Sequence, residues 1–224
     1  MPREKAALQN TEDSVKVEVI SEYGLDEALL GLGLSYGKTS DMTIDDIRAD
    51  KNGVRTKLMD VAKKLAPREN AHNKFLRCYI VNLDIDAPRY WWQEFDTYKV
   101  GTVANSESTM HTIVKREFTE DDFEKMQNAE KQCSDINWLN IAREAYKNYV
   151  AAESLAQADA VWKDIIKALP HAYLQRRIVT LNYQVLRTML RQRKNHKLGE
   201  WAIFREAILM EVRHPEFLKE TNDD

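Results

Sequence analysis

Tyr79, Val81, Leu83 and Ile85 alternate with Asn82, Asp84 and Asp86, and Pro88 closes the run. A period of two puts the apolar set on one face and the amide and carboxylates on the other, so this stretch is a strand with one buried and one polar side. It is the clearest strand pattern in the chain. A weaker one comes earlier, where Val15, Val17 and Val19 alternate with Lys16 and Glu18.

The other periodic stretches read as helices. Leu25–Leu34 is apolar and helical, and Gly31, Gly33 and Gly37 mark a turn-rich stretch at its end. Val54, Leu58, Val61 and Leu65 have helical spacing and stop before Pro67. Only Gly199 of the seven glycines lies beyond Gly101, so the second half is expected to be mostly helical. Thr119 with Asp122 forms a capping-box pattern that opens a helix. Trp138–Leu169 reads as two helices or one bent helix, and a long helical pattern follows Pro170 to about Gln192. A last helix runs from about Gly199 to Val212. Two or three strands followed by long helices predict an α+β fold, a small antiparallel or mixed sheet packed with long helices. The expected organisation is a polar arm at 1–14, a single domain at 15–214 and a polar tail at 215–224.

A chain of 224 residues is long enough to bury a substantial core, and its net charge of −3 argues against a globally basic nucleic-acid binder. No stretch reaches the roughly 18 apolar residues of a membrane span, and Met1–Asn10 has no apolar run of the secretory kind. The expected setting is cytoplasmic. Cys78 and Cys133 have no metal-type spacing and read as free thiols buried as small apolar residues. No metal site is expected.

Two stretches stand out chemically. His171–Leu198 holds seven Lys or Arg and no Asp or Glu, with Arg187, Arg191 and Lys194 near one helical face and Arg193 beside them. That pattern suits a solvated basic face, a phosphate site or, less well, nucleic acid. In the second stretch, Tyr90, Trp91, Trp92, Phe95 and Tyr98 are either core or a platform for a flat ring. The polar run Thr102, Asn105, Ser106, Ser108 and Thr109 follows them and suits a polar ligand better than a core. The glycines at 31, 33 and 37 do not fit a dinucleotide fingerprint, because the third falls one residue late.

Together these residues resemble the signature region of flavin-dependent thymidylate synthases. The family's Arg-His-Arg-x-x-Ser followed by Asn-Glu-x-Ser corresponds here to Thr97-Tyr98-Lys99-Val100-Gly101-Thr102 and then Asn105-Ser106-Glu107-Ser108. His72 stands at the family distance before Ala87-Pro88, and Ser35-Tyr36 resembles its early serine-aromatic pair. Leu169-Pro170, Thr180, Asn182 and Arg193 keep the register of its C-terminal half. The resemblance covers about residues 15 to 214. It implies an enzyme that methylates dUMP to dTMP, using FAD with NADPH and methylenetetrahydrofolate as co-substrates. It also implies a homotetramer with flavin sites built between subunits. Ser35, His72, Tyr98, Lys99 and Asn182 would then lie near the flavin. Asn105, Ser106, Ser108, Thr109 and Arg193 would lie near the nucleotide, and Arg193 and Ser108 would serve catalysis, Arg193 by polarising the uracil ring.

The chain departs from the family at Thr97, Tyr98, Lys99 and Ser106, and at Met110 and Ile166, where the family has phosphate-binding arginines. Loss of two charge-assisted hydrogen bonds costs about 3–6 kcal/mol, on the order of a hundred- to ten-thousandfold in affinity, unless Arg176, Arg177 or Lys167 compensates. Three readings follow: an active divergent thymidylate synthase, a flavin- or nucleotide-binding homologue with another pyrimidine substrate, and a non-catalytic binding protein on the same fold.

Overall fold

The computed structural model describes residues 14–68 and 71–219. The Tyr79–Ile85 alternation is realised in strand β2 (Ile80–Pro88), flanked by β1 (Lys16–Tyr23) and β4 (Leu174–Asn182), with β3 (Thr102–Ser106) beyond β4. The order is β1-β2-β4-β3 and every pairing is antiparallel. Val81, Leu83, Ile85 and Ala87 of β2 and Val179 and Leu181 of β4 face the main core and are fully or almost fully buried. The opposite face is polar: Thr180 Oγ1 donates to Asn82 Oδ1, Asn82 Nδ2 donates to Ser21 and to Tyr23, and Arg176 pairs with Asp84.

The helices among the described residues are α1 (Leu25–Leu34), α2 (Ile44–Arg48), α3 (Val54–Leu65), α4 (Arg89–Phe95), α5 (Thr109–Thr112), α6 (Ala129–Ala151), α7 (Leu155–Ala168), α8 (Tyr183–Gln192) and α9 (Glu200–Glu211). No helix among these residues is long and apolar enough to cross a membrane.

The register of β1 shifts between Val19 and Ser21, a bulge at Ile20. Val17 and Val19 oppose Ile85 and Leu83; beyond the extra residue, Glu22 opposes Val81 and therefore faces the core. The buried Glu22 carboxylate accepts hydrogen bonds from the hydroxyls of Tyr79 and Tyr183, whose rings stack 4.0 Å apart, and from Arg213 N–H at 3.1 Å. A one-residue irregularity thus fastens the C-terminal segment to the sheet.

The main core joins the inner sheet face to α1, α3, α4, α8 and α9. Trp91, Trp92 and Phe95 are buried there with Trp201 and Phe204, so the aromatic run is chiefly core. A second cluster gathers Ile113, Phe118, Phe123 and Tyr173 with Ile136 and Leu139 of α6 and Ile165 of α7. Arg89 Nη1 to Leu169 O at 2.7 Å and Arg89 N–H to Tyr173 O at 3.0 Å tie the two clusters together.

Several expectations are corrected. The segment after Pro170 is not one long helix, because Leu174–Asn182 is a strand that exchanges ladder bonds with both β2 and β3. Gly31 and Gly33 lie inside α1 rather than in a turn. The Thr119–Asp122 capping box exists, but it closes a three-residue 3₁₀ turn. Cys78 and Cys133 are both exposed, not buried. Phe217 and Leu218 belong to the main core, so a polar tail from 215 starts too early, and Ser14 is buried rather than part of a loose arm. The remainder of the expected arm and tail, 1–13 and 220–224, lies outside the described residues.

Candidate functional site

Two of the expected flavin residues share a cavity. Ser35, at the C-terminal cap of α1, and His72 both line a space of about 540 Å³ between α1 and a 3₁₀ turn at Lys74–Arg77. Its floor is apolar, formed by Ala28, Leu32, Leu65 and Phe75. Gly31 is also on the wall, and a Cβ built there meets no atom within 4 Å. A helix-interior glycine costs roughly 1 kcal/mol relative to alanine, and here no packing requires it. Ala71, at the cavity margin, holds a left-handed backbone with φ of 70°, a conformation that costs a non-glycine residue about 1–3 kcal/mol.

A second group forms at the corner where the loop after α4 meets the end of α8. Arg193 Nε donates to the Tyr98 hydroxyl at 3.0 Å, and its Nη1 pairs with Glu94 Oε2 at 2.8 Å. The guanidinium lies over the rings of Trp201 and Tyr98, 4.9 and 5.5 Å from their centroids. Its side chain is only 14% exposed. Asn182 caps α8 by accepting from Val185 N–H at 3.0 Å. Its Nδ2 would lie 3.0 Å from a Cβ at Gly101, whose φ of 78° turns the loop back toward β3. Lys99 lines a small cavity there with Tyr98, Phe95 and Thr102. Tyr98, with Lys99 beside it, thus meets Arg193 at the end of α8 although 95 positions separate them in sequence, whereas Asn182 sits at the other end of that helix beside Gly101.

The third group stands apart. Asn105 and Ser106 lie on the edge strand β3 opposite Ile178 and Arg177, and Ser108 and Thr109 open the short helix α5 beyond it. Thr102 opposes Leu181, so Ser108 lies beyond one end of the β3–β4 ladder and Asn182 at the other, with Arg193 at the far end of α8. Within one chain the structure does not bring Ser108 or Thr109 to Arg193. Met110, next in line, is an exposed apolar side chain.

The basic stretch does not form one helical face. Arg176 and Arg177 are on β4, where Arg176 pairs with Asp84, and Arg177 pairs with Asp96 at 2.8 Å and stacks on Trp92 at 4.2 Å. Burial lowers the Arg177 pKa, with Asp96 acting against that shift. Arg187 is buried and donates to Pro67 O at 3.1 Å. Lys194 lies past the end of α8. Among the described residues no three metal-type ligands converge.

Glu94, Trp201 and Gly31 were not picked out from the sequence as site residues. Glu94 lies in α4 and Tyr98 in the loop after it, and only the tertiary structure brings both to Arg193. Nothing local marks Trp201 or Gly31.

The sheet order, the helix set and the placement of the three groups define an α+β protein with the fold of the flavin-dependent thymidylate synthases. The structure of that enzyme from Helicobacter pylori complexed with FAD and dUMP aligns over 91% of this chain and 98% of its own, with a TM-score of 0.66 and 15% identity. A second structure of it with FAD and dUMP aligns over 92% and 97%, at the same TM-score and identity. The UMP/dUMP methylase PolB from Streptomyces cacaoi, bound with 5-Br dUMP, aligns over 92% and 94% with a TM-score of 0.53 and 12% identity. No family sequence model and no curated protein sequence matches the chain.

Proposed function

We propose that this chain is a flavin-dependent enzyme of pyrimidine-nucleotide metabolism that methylates dUMP reductively, with methylenetetrahydrofolate and NADPH as co-substrates. The observation that carries the reading is the corner at Arg193. The arginine that matches the family register is also the one the fold holds between Tyr98, Glu94 and Trp201 with little exposure.

The residues present fit a flavin nucleotide. The cavity of about 540 Å³ is of ligand size. It offers an apolar floor, a hydroxyl from Ser35, an imidazole from His72 and an unfilled groove at Gly31. Ser35 and His72 would hold one part of FAD, and Tyr98, Lys99 and Asn182 another. When bound, the flavin supplies hydride transfer; the protein binds, orients and polarises. Arg193 would face the pyrimidine and stabilise negative charge developing on it, a task its low exposure favours because a charge acts more strongly away from water. Asn105, Ser106, Ser108 and Thr109 form an exposed polar ledge for the nucleotide. Because one chain does not bring that ledge to Arg193, we assign a complete site to a homotetramer, with the ledge of one subunit facing Arg193 of another. A cytoplasmic setting accords with this role.

One observation favours a second reading, a different pyrimidine nucleotide as substrate. Met110 offers no phosphate contact, and Arg176 and Arg177 are already paired with Asp84 and Asp96. The same pairings weaken the nucleic-acid reading.

The natively purified protein is expected to be yellow, to release FAD, and to release tritium from 5-labelled dUMP when NADPH and methylenetetrahydrofolate are present. FAD without tritium release would leave the altered-substrate reading. A colourless protein that takes up no added FAD would defeat both.

A further inference from the structure

We infer that Glu124, Tyr90 and Glu200 form a proton-held clasp between the two hydrophobic clusters, closed while the two carboxyls share a proton and opened when that proton is lost. Tyr90 is on α4 and Glu200 is the first residue of α9, both at the main core, whereas Glu124 follows Phe123 of the second cluster. The Tyr90 hydroxyl donates to Glu200 Oε1 at 2.8 Å, which uses its single proton. Glu200 is 6% exposed, and its Oε2 is buried with no hydrogen-bond partner among the described residues. The Glu124 carboxyl stands beside both groups, close enough for each to act on its protonation. Protonated, Glu124 supplies the donor that the orphaned oxygen lacks. Ionised, it sets a second negative charge against the first, away from water.

The groups that face the clasp from each neighbouring element leave the proton as the tie. From α4, Arg89 turns its guanidinium to Leu169 O at 2.7 Å. From α6, Gln132 is neutral, and its amide donates to Glu124 O at 3.3 Å. The segment before β4 presents backbone: Ala172 O accepts from Glu124 N–H at 2.9 Å and His171 O from Tyr90 N–H at 3.3 Å, with the His171 side chain exposed. Lys125, next in the chain, is exposed as well. Glu200 opens α9, where a helix N-terminus favours negative charge, so Glu200 keeps the charge and Glu124 the proton. Burial, opposed by Tyr90, and then Glu200 hold the Glu124 carboxyl above the ordinary glutamate range, so the clasp opens on the alkaline side and not in acid. The second cluster includes Ile113, one residue beyond α5, and Thr109 begins α5. Opening the clasp therefore loosens the support of the polar ledge while the sheet stays folded.

The two native thiols supply the probe. Cys78, which ends the 3₁₀ turn at the main core, and Cys133, on α6 of the second cluster, are both exposed. Nitroxide labels on the pair in the full chain report the distance between the clusters by pulsed electron resonance, with far-UV circular dichroism recorded on the same samples. At mildly acidic pH one narrow distance is expected. At alkaline pH a broader, longer population should appear and grow with pH, while the circular dichroism is unchanged. Glu124→Gln keeps the donor and cannot ionise, so its distance should stay narrow throughout. Glu200→Gln removes the repulsion from the other side and should behave alike, which tests the clasp if the first variant does not fold. A single distance at every pH in the parent would overturn the inference. So would broadening that persists in the variants, or broadening that comes with loss of circular dichroism, which is global unfolding.

Discussion

Arg193 Nε lies 3.0 Å from the phenolic oxygen of Tyr98, which joins the end of α8 to the loop after α4. The same guanidinium pairs with Glu94 and covers Trp201, so its position is determined from three sides. A charge held this way is pre-oriented, and little order has to be gained when a ligand arrives.

Arg193→Ala is expected to abolish pyrimidine-nucleotide binding and turnover while lowering stability by only about 1–2 kcal/mol. The lost terms are the bond to Tyr98, the ion pair with Glu94 and the cation–π contacts over Trp201 and Tyr98, all discounted because Glu94 stays 42% exposed to water. Titration with dUMP and a thermal melt separate the two effects. Parent-like binding would remove Arg193 from the site.

Gly31→Ala is expected to stabilise the ligand-free protein by about 0.5–1 kcal/mol, because alanine is the better helix former and its Cβ meets open space. The same change should reduce flavin retention. His72→Ala should reduce retention without the gain in stability. Absorbance of the purified variants reads the first effect and denaturant melts the second; unchanged flavin occupancy in both would take this cavity out of the flavin site.

Glu124 carries a pH dependence. Burial, opposed by hydrogen bonding to Tyr90, and then the nearby Glu200 carboxylate hold its pKa above the ordinary glutamate value. Glu200 is 6% exposed and accepts from the Tyr90 hydroxyl at 2.8 Å. The folded protein thus holds a proton that the unfolded chain releases near pH 4.3. This contribution is fully present below that value and lost as pH rises through the raised folded pKa. Glu124→Gln should flatten stability against pH above the unfolded glutamate value and raise it at the alkaline side of the raised folded pKa. Parallel curves for parent and variant would show that this pair does not titrate as described.

Leu83 and Asp84 are neighbours on β2 with opposite fates. Leu83 is fully buried, and Leu83→Ala should cost about 2–5 kcal/mol. Asp84 faces the open side and pairs with Arg176, whose side chain is 66% exposed, so Asp84→Asn should cost about 1 kcal/mol or less. Equal losses in urea melts would mean that the outer sheet face is covered in solution.

The α+β class, strand β2 and helices α1, α3 and α9 were legible in the sequence, because in each case side-chain period or a proline acts within a dozen residues, whereas the pattern over α6 and α7 fitted two helices or one bent helix alike. Strand β4 was not legible. Leu174, Ile178, Leu181 and Val185 repeat every three or four residues and read as a helix, and only the ladders to β2 and β3 make the first three of them strand. Strand preference depends on the partners, and a local window does not contain them. Tertiary structure alone also turned Glu22 inward at a bulge, committed Arg176 and Arg177 to carboxylates and brought Tyr98 to Arg193. The sequence by itself determined which segments are helix-like, strand-like and polar. Which side chains meet was decided by strand register and packing, since pairing energies act between residues that the chain keeps far apart.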